Sequence, residues 1–228
     1  MSQLFDTYDK TYGAVVQSSI DFSGLPHSFF MQAKAEMLRE VIAAKFDGAA
    51  ALSALDVGCG TGEFHPYARG LFGRLCGSDV SESCVAQAQR ANPDVAYRTS
   101  TDGVLPYADG SFDLTTTICV MHHVPPAEWP AFVREMRRVT RPGGVVCVIE
   151  HNPLNPLTRL AVARCEFDRD AVLLRSGTTR RLLAEAGLRD VETRFFLTLP
   201  FAKPLARRIE GMIARLPLGA QYLTTGTV

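Results

Sequence analysis

The chain of 228 residues predicts an α/β fold with a parallel, doubly wound sheet. Runs of β-formers alternate with helical stretches between about residues 52 and 150, the order of linked βαβ units. The run from Phe112 to about Val120 is almost uninterrupted β-formers, as a central strand covered on both faces requires. Leu52 to Gly62 reads as an apolar strand, a turn with three alternate glycines and a helix start, a geometry that brings backbone close to a ligand. Together these describe a Rossmann-like sheet, whose ligands sit beyond the carboxyl ends of the strands.

Composition narrows the function classes. Lys+Arg and Asp+Glu are 24 each, and no block of like charge stands out, so nucleic acid is not an expected partner. Met1 to Asp6 lacks a basic start followed by an apolar run, so no signal peptide is expected. No stretch approaches the ~20 uninterrupted apolar residues of a membrane span. The six cysteines form no C-x-x-C pair, and most lie in apolar strand-like runs. That is the pattern of buried free thiols in a reducing compartment, so a cytoplasmic protein without disulfides or a metal site is expected.

The elements follow in order. Residues 1–50 form an arm, and 51–228 the ligand-binding domain, with added segments at about 151–175 and 201–216. The arm is rich in aromatics: Phe5, Tyr8, Tyr12, Phe22, Phe29 and Phe30. From Ser28 to Phe46 the period is helical, with Phe29, Phe30, Ala33, Met37, Leu38, Val41 and Ile42 near one face, which suits packing on the sheet. Between Tyr8 and Phe30, Gly13, Gly24 and Pro26 mark loop, and core packing and a lid over a ligand are equally consistent. A first strand spans Ser53–Val57, and a helix runs from about Gly62 to Leu71. The next strand, Arg74–Asp79, ends in an acid, and Ser81 is placed to cap a helix to about Ala91. Val95–Thr99 is a third strand, and a loop from Ser100 to Pro106 follows it. After the Asp109-Gly110 turn, the fourth strand ends at Met121-His122-His123-Val124. Pro125-Pro126 breaks the chain before a helix from about Ala127 to Val139. Arg141-Pro142-Gly143-Gly144 reads as a turn into a fifth strand, Val145–Glu150. The next stretch, from Glu150 to Arg159, is too proline-rich for a plain helix, and a helix is expected near Thr178–Ala186. Phe201–Leu216 reads as an amphipathic helix bearing Arg207, Arg208 and Arg215, more simply a solvated face than a membrane contact.

One sheet edge thus collects Asp56, Asp79, Asp102, His122, His123, Glu150 and His151. The glycine spacing there selects a ligand. A dinucleotide site wants G-x-G-x-x-G, but here the pattern is G-x-G-x-G, with Asp56 two residues ahead. That carboxylate would repel a pyrophosphate and attract an amino group. S-adenosylmethionine (SAM) carries an amino group, a sulfonium and no phosphate. Asp79 at a strand end suits two ribose hydroxyls, as in any adenosine site.

The chain here resembles the class I SAM-dependent methyltransferases, especially the ubiquinone-biosynthesis-like group acting on small molecules. The matching pieces are Leu55–Gly62, Gly77–Ser81, Leu105–Asp113, Val120–Val124 and Arg141–Gly144, in family order over about residues 50 to 150. The resemblance implies a sheet of seven strands whose last, near Ala220–Val228, runs antiparallel beside a sixth near Val191–Leu199. It also implies roles. Asp56 would meet the methionine amino group, and Gly58, Cys59 and Gly60 would bring backbone against the cofactor. Asp79 would hold the ribose and Val80 would lie on the adenine. Thr101, Asp102 and Gly103 would meet the adenine edge, and Ile118 and Cys119 the methionyl part. The Glu-His-Asn-Pro segment at 150–153 is similar to segments of methyltransferase-like sequences linked to polysaccharide or natural-product pathways.

Methyl transfer displaces a good, neutral thioether in line, so the protein mainly aligns the acceptor and excludes water. An O or N acceptor that carries a proton needs a base, and a histidine suits it. His123 and His151 are the candidates, with either a base or a structural role open to each. Tyr12, His122, Glu150 and Asn152 are candidates for acceptor binding. The expected function is methyl transfer from SAM, leaving S-adenosylhomocysteine, to an O, N or C atom of a small molecule, by a monomer or homodimer. An NAD-dependent oxidoreductase and a non-catalytic SAM-binding protein are the alternatives.

Overall fold

The computed structural model describes residues 12–48, 51–199 and 210–228. Its chain order is α1 (Tyr12–Ile20), α2 (His27–Lys45), β1 (Ser53–Val57), α3 (His65–Ala68), β2 (Arg74–Asp79), α4 (Glu82–Ala91), β3 (Ala96–Thr99), β4 (Phe112–Ile118), α5 (Trp129–Val139), β5 (Thr140–His151), α6 (Pro156–Arg164), α7 (Ser176–Glu185), β6 (Arg189–Phe196) and β7 (Gln221–Thr227). Short 3₁₀ turns lie at Asp21–Ser23, Met121–His123 and Glu166–Asp168. The seven strands form one sheet in the order β3-β2-β1-β4-β5-β7-β6. Every pairing is parallel except the two made by β7. The Rossmann-like sheet with an antiparallel last strand is therefore as expected.

Strand alternation splits the core into two layers. Val145, Cys147 and Ile149 of β5 face Leu38, Val41 and Ile42 of α2. Val146 and Val148 face Val133, Met136 and Val139 of α5 and Leu182 and Leu183 of α7. At the amino end of the central strands, Asp113 accepts hydrogen bonds from the Ser53 N–H at 2.7 Å and its hydroxyl at 2.9 Å, and pairs with Arg141. Among the described residues, no helix is long and apolar enough to cross a membrane. The six cysteines are free thiols.

Several local expectations are corrected. Tyr12–Ile20 is helical through Gly13 rather than loop. The buried stripe of α2 runs through Met31, Lys34, Ala35, Met37, Leu38, Val41 and Ile42, so the predicted face holds over its second half, while Phe29, Phe30 and Ala33 are only half-buried in the first. The helix expected over Gly62–Leu71 shrinks to His65–Ala68. Gly62 and Gly70 bracket it in the left-handed region, at φ 76° and 78°, which no α-helix continues through. Arg141–Gly144 is a bulge inside β5, since Phe112 pairs with Thr140 but Leu114 with Val145. Pro156–Arg164 is a regular helix despite its prolines. Pro156 stands at its first position, where no N–H is needed, and Asn155 Oδ1 accepts from the N–H groups of Leu157 and Thr158. Ser81 caps α4 as expected, accepting from the Cys84 N–H at 3.2 Å. Arg207, Arg208 and most of the helix expected at 201–216 lie outside the described residues, as do Phe5 and Tyr8.

Candidate active site

A cavity of about 1670 Å³ opens at the carboxyl ends of β1, β2, β4 and β5. Single-ligand pockets run to about 300–1,000 Å³, so this one has room for two molecules side by side.

The turn after β1 forms one wall. Gly58 and Gly60 take φ of 78° and 52°. A Cβ at Gly58 would lie 2.6 Å from the γ-methyls of Val120, while one at Gly60 would meet nothing within 4 Å. Gly58 is thus small because Val120, just past β4, packs on it, and Gly60 leaves bare backbone beside open space. The Gly60 N–H donates to Asp79 Oδ2 at 2.8 Å, and the Ser81 N–H to Asp79 Oδ1 at 3.0 Å. Burial pushes the Asp79 carboxyl above its ordinary range, against the pull of the Ser81, Gly60 and Val80 N–H groups. Asp56 is 3% exposed, and its Oδ2 lies 3.1 Å from His65 Nε2. His65 Nδ1 in turn meets the Tyr97 hydroxyl. Asp56 Oδ1 is buried with no partner among the described residues. An acceptor left unsatisfied beside a cavity is what an ammonium group would complete. The bare backbone at Gly60 and this orphaned oxygen both fit SAM. Burial, then Asp56 and Asp79, push the Cys59 thiol well up, so it is neutral and inert.

The opposite end gathers histidines. The turn Met121–His123 is held by the Trp129 indole N–H, which donates to the carbonyls of Met121 and Val124 at 2.8 and 2.9 Å. His122 Nδ1 lies 2.7 Å from Glu150 Oε2, and His122 Nε2 lies 3.3 Å from Asp168 Oδ1. The same Asp168 oxygen is 3.3 Å from His123 Nε2. The His151 ring centroid stands 5.1 Å from that of His122. Burial opposes charge on His122, but Glu150 and Asp168 outweigh it and raise its pKa well above the ordinary value. Burial also opposes the Glu150 and Asp168 carboxylates, yet His122 holds both below their usual range. Burial, then the His122 charge, lowers His123 and His151 to about 4, so both rings are neutral at pH 7.

Most residues singled out in the sequence line this cavity: Asp56, Gly58, Cys59, Gly60, Asp79 and Val80; Thr101, Asp102 and Gly103; Ile118, Cys119, His122, His123 and His151. Two acceptor-binding candidates do not. Asn152 is 2% exposed, and its amide donates to the carbonyls of Pro217 and Gly219 at 3.1 and 2.8 Å, so it fastens the chain leading into β7. Glu150 is fully buried behind His122 and also accepts from the His151 N–H at 3.2 Å, so it orients histidines rather than meeting a ligand. The Tyr12 side chain lies outside the described residues.

Three residues were missed. Asp168 stands on a turn far along the chain from the histidines. His65 sits in what looked like an ordinary helix. Lys34 is 6% exposed, lines the cavity, and has no ion-pair partner among the described residues. Only the position of Lys34 on the buried stripe of α2 would have signalled it.

Comparison with known proteins adds a family. Residues 55–148 match the family model described as methyltransferase domain. The chain is 44% identical over 72 residues to a demethylmenaquinone methyltransferase of Beutenbergia cavernae, covering 32% of this chain and 29% of that one. It is 33% identical over 150 residues to a ubiquinone biosynthesis O-methyltransferase of Mesorhizobium japonicum, covering 60% and 59%. The chain thus matches less than two thirds of the length of either relative. A crystal structure of a Thermotoga maritima SAM-dependent methyltransferase, possible histamine N-methyltransferase, superposes with a TM-score of 0.68 at 16% identity, covering 100% and 99% of the two chains. That likeness is one of fold.

Proposed function

Since residues 55–148 match a methyltransferase-domain family model, we propose that the chain is a class I SAM-dependent methyltransferase and moves the sulfonium methyl of SAM to an O, N or C atom of a small molecule. The observation that carries this is the placing of Asp56, the Gly58–Gly60 backbone and Asp79 on one wall of a two-ligand cavity, with the histidines at its other end. In this reading Asp79 holds the ribose, Asp56 faces the ammonium, and Thr101, Asp102 and Gly103 border the adenine beside Val80. Ile118 and Cys119 lie along the methionyl chain. The methionine carboxylate needs a cation, and Lys34 supplies one.

The acceptor then lies against His122, His123 and His151 and under Val16, Ser19 and Ile20 of α1. The acceptor atom takes the methyl as the carbon–sulfur bond breaks, and neutral S-adenosylhomocysteine leaves. Where the acceptor is O–H or N–H, its proton passes to His123 or His151. A small molecule of a natural-product or polysaccharide pathway, methylated in the cytoplasm, is the finer form of this reading; the six free thiols support a reducing compartment.

A thermal-shift comparison tests the cofactor. SAM and S-adenosylhomocysteine should raise the melting temperature and NAD should not; stabilisation by NAD alone would favour an oxidoreductase. Incubation with labelled SAM and a panel of acceptors should then give methylated product, and SAM binding without product would favour a binding protein. Lys34→Met should weaken SAM about tenfold or more, the scale of a hydrogen bond to a charged group, yet leave methylthioadenosine, which lacks the carboxylate, unchanged. Equal losses for both ligands would remove Lys34 from this role. His123→Ala or His151→Ala should lower turnover by roughly 10²–10⁴-fold, the range of general-base catalysis, with SAM affinity nearly unchanged. Small, equal effects on both quantities would exclude them as bases.

A further inference from the structure

We propose that His122, His123 and Asp168 form a divalent-cation site with an open position toward the acceptor end of the cavity. The sequence shows no metal-ligand spacing, because Asp168 is remote in the chain. The fold brings the ligands together. One ring nitrogen from each histidine and one Asp168 oxygen all lie within 4.8 Å of one another.

The distances have the spacing of a metal site. Asp168 Oδ1 stands 3.3 Å from Nε2 of both His122 and His123. Charge-assisted N–H···O bonds run to about 2.7–2.9 Å, and His122 makes one such contact in the same site, at 2.7 Å to Glu150. Zinc binds histidine nitrogen and carboxylate oxygen at about 2.0–2.2 Å, so the edge between two of its ligands in a tetrahedral site is roughly 3.3–3.5 Å. The two long contacts match that edge.

The surroundings are those of a metal centre. A ligating histidine usually gives its second ring nitrogen to a carboxylate, which fixes the tautomer and aims the ring. Glu150, fully buried, does this for His122. Asp168 is anchored on both sides: Phe167 is buried beside it, and the Val172 N–H donates to the His122 carbonyl at 2.8 Å. Two imidazoles and one carboxylate suit borderline first-row cations, zinc above all, better than magnesium or calcium. Three protein ligands with a fourth position open is the pattern of zinc sites that bind a reactant. All three residues line the cavity. The open position would therefore take an acceptor oxygen, which points to a hydroxyl-bearing acceptor whose proton passes to His151, since His123 is then held by the cation. This last step rests on the methyl-transfer reading; cation binding itself does not.

The test uses full-length protein without an affinity tag, stripped with a chelator and free of SAM and acceptor. Calorimetry with Zn²⁺ should show one tight equivalent, and Co²⁺ should give the visible spectrum of a four- or five-coordinate ion with nitrogen and oxygen ligands. Asp168→Asn and His123→Ala should each weaken Zn²⁺ by more than the roughly 10–100-fold that loss of an outer partner brings. Glu185→Gln, remote and exposed, should change nothing. Because His123 is only half-buried, its alanine variant should fold, with circular dichroism as the check. Absence of a stoichiometric site, equal affinity in wild type and both variants, or a cobalt–thiolate band would overturn the proposal. Since no turnover is measured, failure to find methyl transfer and failure to bind the cation are separate results.

Discussion

Asp79→Ala should weaken SAM binding by about 1.5–3 kcal/mol, the scale of hydrogen bonds to a charged group, or roughly 10- to 150-fold in Kd. The carboxylate ends β2, where parallel pairing sets Asp56 level with Gly77, so the cavity edge is shared between neighbouring strands. Each Asp79 oxygen already accepts one backbone N–H, from Gly60 at 2.8 Å and from Ser81 at 3.0 Å. The Val80 N–H also pulls on the carboxylate, and of its roughly four lone-pair sites at least one stays open for a ribose hydroxyl. In the proposed reading alanine removes the ribose contact, and it also frees the Gly60 N–H, loosening the turn on that wall of the cavity. Both losses would fall on the proposed cofactor, so the effect should be large. Calorimetry with S-adenosylhomocysteine measures it without turnover. An unchanged Kd in a folded variant would contradict the ribose assignment.

Glu150→Ala should be the most damaging single change to stability, on the order of 3–5 kcal/mol, as when one member of a buried ion pair is removed. Glu150 is fully buried at the end of β5, and His122 is 2% exposed. The glutamate accepts from His122 Nδ1 at 2.7 Å and from the His151 N–H at 3.2 Å. Without it both donors lose their acceptor, and His122, buried at 2% exposure, loses its nearer counter-charge. Glu150→Gln keeps an acceptor in place and should lose less. Denaturant unfolding in the presence of a chelator reads the difference. A loss no larger than about 1 kcal/mol, an ordinary hydrogen bond, would mean that Glu150 does not hold the histidines in place.

The missteps of sequence reading share a cause. Periodicity placed α2 and the second half of its buried face correctly but misread the first half, because aromatic residues were counted as core and Lys34 was not. The stretch after Gly62 looked helical, yet two left-handed glycines leave it one turn. Asn152 looked like a polar residue at a ligand edge, but carbonyls of Pro217 and Gly219, distant in the chain, claim its amide. In each case composition was read properly and the neighbours were unknown.

Order along the chain was enough to read the strand and its glycine turn, the acids closing β1 and β2, and hence the kind of cofactor. Those features arise from backbone preferences over a few residues and from the repeating geometry of parallel strands. The histidine–carboxylate cluster and the buried Lys34 were settled by folding alone. Their chemistry comes from desolvation and from charges a few ångströms away, and those charges arrive from segments that nothing local ties together.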